Sequence, residues 1–281
     1  PTFLPIPFLP LSGGLKLTRS MELPTFFVFV HTRANGEHLY GFVFTFHEAL
    51  EPPLREQANR ALAAYRESLP PGDAGAGSSG SSSGNSSGGE WYAPRCLCLL
   101  SCWPYFTGFR EWLTNLFRIS LSPTQARKRA ECADPLLRSR IYACVPLERY
   151  ISNFVLEVPL PVPGRIEVLY HMNAGSSGPG VGIPTIPFAC PPPNRPVAWP
   201  SLPLEPLFQR LGHDHVVTLF ESLLLERSVL LRSSSLYLLT ICAEGLMALL
   251  YPLGWTHVYI PVLPEALLGV LAAPMPYLVG M

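Results

Sequence analysis

The sequence predicts an α/β chain in two lobes: a hairpin-led lobe up to about Tyr170, then a βαβ-type lobe with a mainly parallel sheet from about Pro203. Three observations carry that reading. Phe26–Thr32 (FFVFVHT) and Leu39–Phe46 (LYGFVFTF) are Phe/Val-rich runs flanking Asn35-Gly36, a turn pair whose members both tolerate positive φ. After Pro203, short apolar runs alternate with helical patterns, which implies crossover units between parallel strands. Between the patterned segments lie a Gly/Ser stretch, Gly72–Gly89, and a Pro/Gly-dense stretch, Asn173–Pro203.

The elements follow in chain order. The two Phe/Val runs pair as a β-hairpin. Pro53–Ser68 sets Leu54, Ala58, Ala61, Leu62 and Tyr65 near one helical face. Gly72–Gly89 has almost no apolar surface to offset its ordering entropy and predicts a flexible loop. Cys96–Ser101 is a short apolar strand, and Pro104–Ile119 a helix with Phe106, Phe109, Leu113, Leu116 and Phe117 at helical spacing. Pro146, at a first-turn position, opens a helix through Val158. Arg165–Tyr170 alternates like a strand. Asn173–Pro203 reads as a linker. Leu204–Leu211 is a helix ended by Gly212, and Asp214 is placed to cap the next, Val216–Glu226. Val229–Arg232 is a buried strand. Ser234 or Ser235 caps an apolar helix that stops at Leu250 before Pro252. Val258–Val262 is a strand, Pro264 opens a helix with Glu265 in its first turn, and Leu278–Met281 is a last strand.

Composition narrows the function classes. Charged residues make up 14% of 281, with 20 Lys+Arg against 20 Asp+Glu, where an ordinary globular chain has about 25% charged. Zero net charge argues against holding nucleic acid by bulk electrostatics. Thirty-two prolines break the chain into short elements. Seven cysteines without regular spacing read as reduced thiols, hence a cytoplasmic compartment. The first residues lack the basic region of a signal peptide, and a start at Pro1 reads as an excised piece. The most apolar stretch, Leu236–Leu250, is short for a membrane span and carries Glu244, so it reads as a buried core helix.

No motif for bond chemistry stands out. Cys96, Cys98 and Cys102 lack a zinc spacing and a fourth partner; thiols two apart on a strand pack as small apolar groups. His213 and His215 flank Asp214 at a helix start without a third ligand. Ser101 and Ser222 lack a nucleophile-elbow frame. Gly178, Gly180 and Gly182 lack the Lys-Ser/Thr of a phosphate loop. Among the scattered Glu157, Glu167, Glu226 and Glu244, only Glu244 lies deep in an apolar helix, as a paired core charge, a kink-associated group or an acid/base residue. Arg127, Lys128, Arg129, Arg138 and Arg140 form a basic insert, either a solvated loop or a contact for anionic lipid or a partner. With no catalytic constellation visible, the chain reads as a binding or allosteric protein.

Gly14–Phe46 (GLKLTRSMELPTFFVFVHTRANGEHLYGFVFTF) resembles the upstream part of a DENN domain, and CLCLLSCWPYFTGFREWLTNLFRISL its next strand and helix. PLERYISNFVLEVPLPVPGRI resembles the stretch leading into the core. The segment from LFESLLLERSVLLRSSS through ALLYPLGW and YIPVLPE to APMPYLVGM resembles the central DENN core. The resemblance implies a guanine nucleotide exchange factor for Rab small GTPases in membrane trafficking and vesicle transport. It implies no cofactor, no metal, no small-molecule substrate and no bond chemistry. It implies an upstream longin-like lobe, residues 1–172, with an antiparallel sheet flanked by helices. A core DENN lobe, 204–281, truncated at its C-terminus, is expected to follow the 173–203 linker, with the family's downstream DENN segment absent. Recruitment to endosomal, Golgi or vesicle membranes goes with it, with the insert Arg127–Arg140 as a peripheral membrane contact.

Exchange requires a surface that grips mobile switch regions, and apolar or aromatic anchors suit one. Trp255, Tyr259 and Pro261, if exposed, fit that role, with Arg227 and Glu265 supplying polar contacts; core packing or capping is the competing role for each. The alternative function is a DENN-like scaffold that binds a GTPase or membrane adaptor without exchanging its nucleotide.

Overall fold

The computed structural model describes residues 17–33, 35–68, 90–118, 147–172, 184–192 and 202–281. The Gly/Ser stretch 72–89, the basic insert 127–140, Pro146 and the glycines at 178–182 lie outside the described residues. The architecture is mixed α/β, with antiparallel and parallel pairing. The chain divides into two units, one of residues 1–25 and 45–96, the other of 26–44 and 97–281.

Strands β1 (Thr25–Thr32) and β2 (His38–Ala49) form the expected hairpin, and β3 (Tyr92–Ser101) completes a sheet of order β1-β2-β3. The turn differs in detail from the expectation. The Gly36 N–H donates to the Arg33 carbonyl at 2.9 Å, and the Arg33 N–H to the Glu37 carbonyl at 2.8 Å. Only Gly36 is left-handed (φ 83), while Asn35 is not and instead accepts the Glu37 N–H on Oδ1 at 3.1 Å. The loop is thus longer than a two-residue turn, with the glycine taking the one conformation that a Cβ would strain.

In the first unit, α1 (Pro52–Ser68) follows the strand end. Trp91 Nε1 donates to Asn59 Oδ1 at 2.6 Å, and the Arg19 guanidinium lies 4.0 Å over the indole. Paired hydrogen bonds of 3.0 and 2.9 Å join Thr18 to Tyr92.

In the second unit, four successive residues of β1 (Phe27–Val30) and five of β2 (Tyr40–Phe44) are buried. Side chains alternate across a strand, so an unbroken buried run means that both faces are covered. Helix α2 (Phe106–Leu116) packs Phe106 and Phe109 on Phe42, at centroid distances of 5.8 and 4.8 Å. The apolar helix α6 (Leu236–Leu249) contributes Thr240, whose hydroxyl donates to the Val28 carbonyl, and Tyr237 beside Phe26. Helix α3 (Leu147–Ser152) runs into a π-helical turn, Asn153–Glu157. Strand β4 (Glu167–Tyr170) then pairs antiparallel with β5 (Ile186–Ala189), Tyr170 opposite Ile186.

Strand β5 lies inside the stretch that the sequence predicts to be a linker. Ile186 and Phe188 are its buried pair, and Pro187 between them is exposed. A proline is tolerated in a two-stranded edge ladder, and the dense prolines hid the alternation. Phe188 packs edge-on to Tyr105 at 5.4 Å and against Phe109 and Phe154, while Phe154 stacks on Trp112 at 4.3 Å.

The core layer contains α4 (Glu205–Leu211), α5 (His213–Leu224), β6 (Val229–Leu231), α6, β7 (Val258–Ile260), a 3₁₀ helix (Glu265–Ala272) and β8 (Tyr277–Gly280). Its sheet is parallel, in the order β6-β8-β7. The caps differ from the expectation. Gly212 (φ 74), not Asp214, is the N-cap of α5, and Asp214 sits in its first turn, where its charge still favours the helix dipole. Ser235 is the N-cap of α6, yet its side chain makes no capping hydrogen bond.

Candidate functional site

Parallel strands bring every incoming loop to one edge of the sheet and every outgoing loop to the other. The α5–β6, α6–β7 and 3₁₀–β8 loops therefore meet at the N-terminal edge of β6-β8-β7. Large apolar side chains stay exposed along this edge: Leu225 (64%), Leu253 (60%), Tyr251 (58%) and Met275 (50%), with Leu224 at the end of α5. Surface this apolar goes with contacts to other macromolecules.

A carboxylate–imidazole contact joins two of these loops. Glu226 has a left-handed backbone (φ 52), rare for a residue with a Cβ, and its Oε1 lies 3.4 Å from His257 Nε2. The His257 ring stands edge-on to Trp255 at 5.0 Å, and Trp255 Nε1 donates to the Val258 carbonyl at 3.2 Å. Trp255 is thus half-buried and held in place. Arg227, next to Glu226, is exposed, and among the described residues its guanidinium has no partner.

The five sequence-predicted contact residues do not converge. Arg227 and Trp255 share the N-terminal edge. Pro261 and Glu265 follow β7 at the opposite edge, where Glu265 is exposed and Pro261 buried. Tyr259 lies within β7 and is only 5% exposed. The exposure expected of Tyr259 and Pro261 is therefore corrected: both side chains are buried. Sequence reasoning missed the edge leucines and Tyr251, because apolar residues at the ends of a core helix read as core. The signal was their position just beyond the helix ends, before Arg227 and around Pro252.

Tyr259 has a different partner. Its hydroxyl donates to Glu244 Oε1 at 2.6 Å, and the Tyr40 hydroxyl approaches Oε2 at 3.4 Å. Glu244 is 8% exposed, and the His38 ring stacks on Tyr259 at 5.3 Å. Burial pushes the Glu244 carboxyl up to about 7, with the two phenol hydrogen bonds pulling it back down. Burial and the nearby carboxylate push both phenols well up, and burial holds His38 below its ordinary value. Of the three readings of Glu244, the paired core charge is replaced by a carboxyl held by phenols.

The remaining candidates resolve locally. Among the described residues, no three His, Cys, Asp or Glu side chains gather where one metal ion could be held. Cys96 is half-buried in β3, where burial raises its thiol. His215 donates from Nδ1 to the Leu211 carbonyl at 2.8 Å, and Ser222 donates to the Thr218 carbonyl at 2.8 Å. The Ser101 hydroxyl accepts the Trp103 N–H at 2.9 Å.

A buried hairpin braced by α2 and α6 and a parallel layer with an apolar loop edge make up a mixed α/β module. Residues 92–281 match the DENN (AEX-3) domain and residues 4–46 the uDENN domain, and the chain belongs to the DENN family. It is similar to the DENN domain and WD repeat-containing protein SCD1 of Arabidopsis thaliana, at 32% identity over 190 residues. That similarity covers 68% of this chain and 14% of the relative's length.

Proposed function

We propose that this chain acts as a guanine nucleotide exchange factor for a Rab GTPase. DENN domains generally work in that way, and the observation that carries the reading is the family match across residues 92–281. The exposed edge of β6-β8-β7 lies within that stretch and supplies the kind of surface required. Leucines, Tyr251 and Trp255 give apolar anchors, and Arg227 a cation for a carboxylate on the partner. No covalent bond changes. The factor binds the nucleotide-free GTPase more tightly than the loaded form, and by linkage it weakens nucleotide binding by the same free energy.

Among the described residues, no helix is long and apolar enough to cross a membrane. The basic insert, Arg127–Arg140, supports peripheral contact with anionic lipid through its sequence.

Release of fluorescent GDP across a panel of Rab proteins tests the reading. Purified protein containing this chain is expected to accelerate release from one or a few members. Leu225→Asp combined with Leu253→Asp should slow that release at least about tenfold, the loss of one anchor's contact energy, with thermal stability unchanged because both side chains are exposed. No acceleration from any member by folded protein would overturn the proposal. Capture of a GTPase without faster release would favour the scaffold reading.

A further inference from the structure

We propose that Glu244 is a proton-gated clamp, neutral when it holds the hairpin against the core layer and ionised when it lets the hairpin part from α6. The inference does not depend on exchange activity. It starts from connectivity: one carboxyl on α6 takes a phenol from β7 on one oxygen and a phenol from β2 on the other. Tyr40 and Tyr259, far apart in the chain and on different sheets, are thereby joined through a single titratable group.

The surroundings offer the ionised form little. The groups that touch the Glu244 carboxyl are Tyr40 from β2 and Tyr259 from β7, with the His38 ring of β2 stacked on Tyr259. Helices α4 and α5 and strand β8 also pack on α6. From these, Glu205, His213, Asp214, His215 and Glu221 are exposed, Arg210 acts on Cys242, and β8 brings only Tyr277. Arg110 of α2 lies over the Tyr237 ring, at the first turn of α6. Among the described residues, no lysine or arginine pairs with the Glu244 carboxyl. A buried charge without a cation is costly, and two hydrogen bonds offset only part of that cost. Losing the proton therefore favours a state in which the carboxylate reaches water. Both phenol bonds favour the ionised form, so hydration of the charge drives the parting, and Tyr40, at 3.4 Å, is the weaker of the two holds beside Tyr259 at 2.6 Å.

The sign follows from the raised carboxyl. Its ordinary value is 4.5 and its folded value about 7, so the folded state holds the proton across that window. The clamp is complete below the ordinary value and is lost as pH rises through the folded one.

Hydrogen exchange of the protein between about pH 6 and 8, corrected for intrinsic rates, tests the clamp. Protection of residues 39–44 is expected to fall about tenfold per pH unit as pH approaches the folded value of about 7 and to level off above it, and Glu244→Gln should remove that dependence. Tyr40→Phe should move the midpoint up, because it removes a hydrogen bond to the ionised form. A carbon-13 titration of the wild-type Glu244 carboxyl keeps the test open if a variant fails to fold. A midpoint above about 6 supports the clamp, and one below that value overturns it, since the carboxyl would then titrate close to an ordinary glutamate. The same pH dependence in Glu244→Gln overturns it as well.

Discussion

The two three-stranded sheets are built in opposite ways. In β1-β2-β3, the long strands β1 and β2 are contiguous in the chain and joined by a short loop. In β6-β8-β7, strands of three or four residues are separated by helices, and the last to be made lies in the centre. The β1–β2 pair closes through a loop local in the chain. The second sheet owes its register to side-chain and backbone fit against α6 and the neighbouring loops, since so short a ladder has few hydrogen bonds of its own.

Gly280→Ala is the most damaging way to test that contrast. A Cβ at this central position would overlap the Pro261 carbonyl oxygen, a backbone atom that cannot rotate away. Loss of more than about 3 kcal/mol is expected, read as a lower urea midpoint. Thr240→Val comes next: it leaves the Val28 carbonyl without its hydroxyl donor in a fully buried place. About 1–3 kcal/mol should be lost, and a double-mutant cycle with a hairpin substitution would show whether α6 and β1 act as one unit. Gly36→Ala has open space around the new methyl, so only the left-handed backbone is strained. A cost of about 1–2 kcal/mol is expected, the smallest of the three. If Gly36→Ala proved more damaging than Gly280→Ala, the contrast between local and non-local register would fail.

The same contrast separates what could be read in advance from what could not. The hairpin, α2 and the strand–helix alternation after residue 203 were readable because apolar periodicity and turn chemistry are local signals. Strand β5 was not, because Pro187 and its proline-rich flanks masked a buried pair whose partner, β4, lies across an intervening stretch. The capping roles of Asp214 and Ser235 were over-read: a capping residue type in the right place does not fix where its side chain points. At the candidate edge, Arg227 and Trp255 were singled out from sequence, and the structure adds the leucines beside them. Tyr259 and Pro261 looked like surface anchors because aromatic and proline residues beside a turn often are, yet both side chains are buried.

Residue types at short spacing were enough to set the class of chain, its family and most of its elements, since each of these is written in neighbouring positions. Which loops share an edge, that Tyr259 is engaged by Glu244, and that one carboxyl touches two sheets emerged only from the folded arrangement. Those facts depend on residues far apart in the chain, and no local pattern encodes the distance between them.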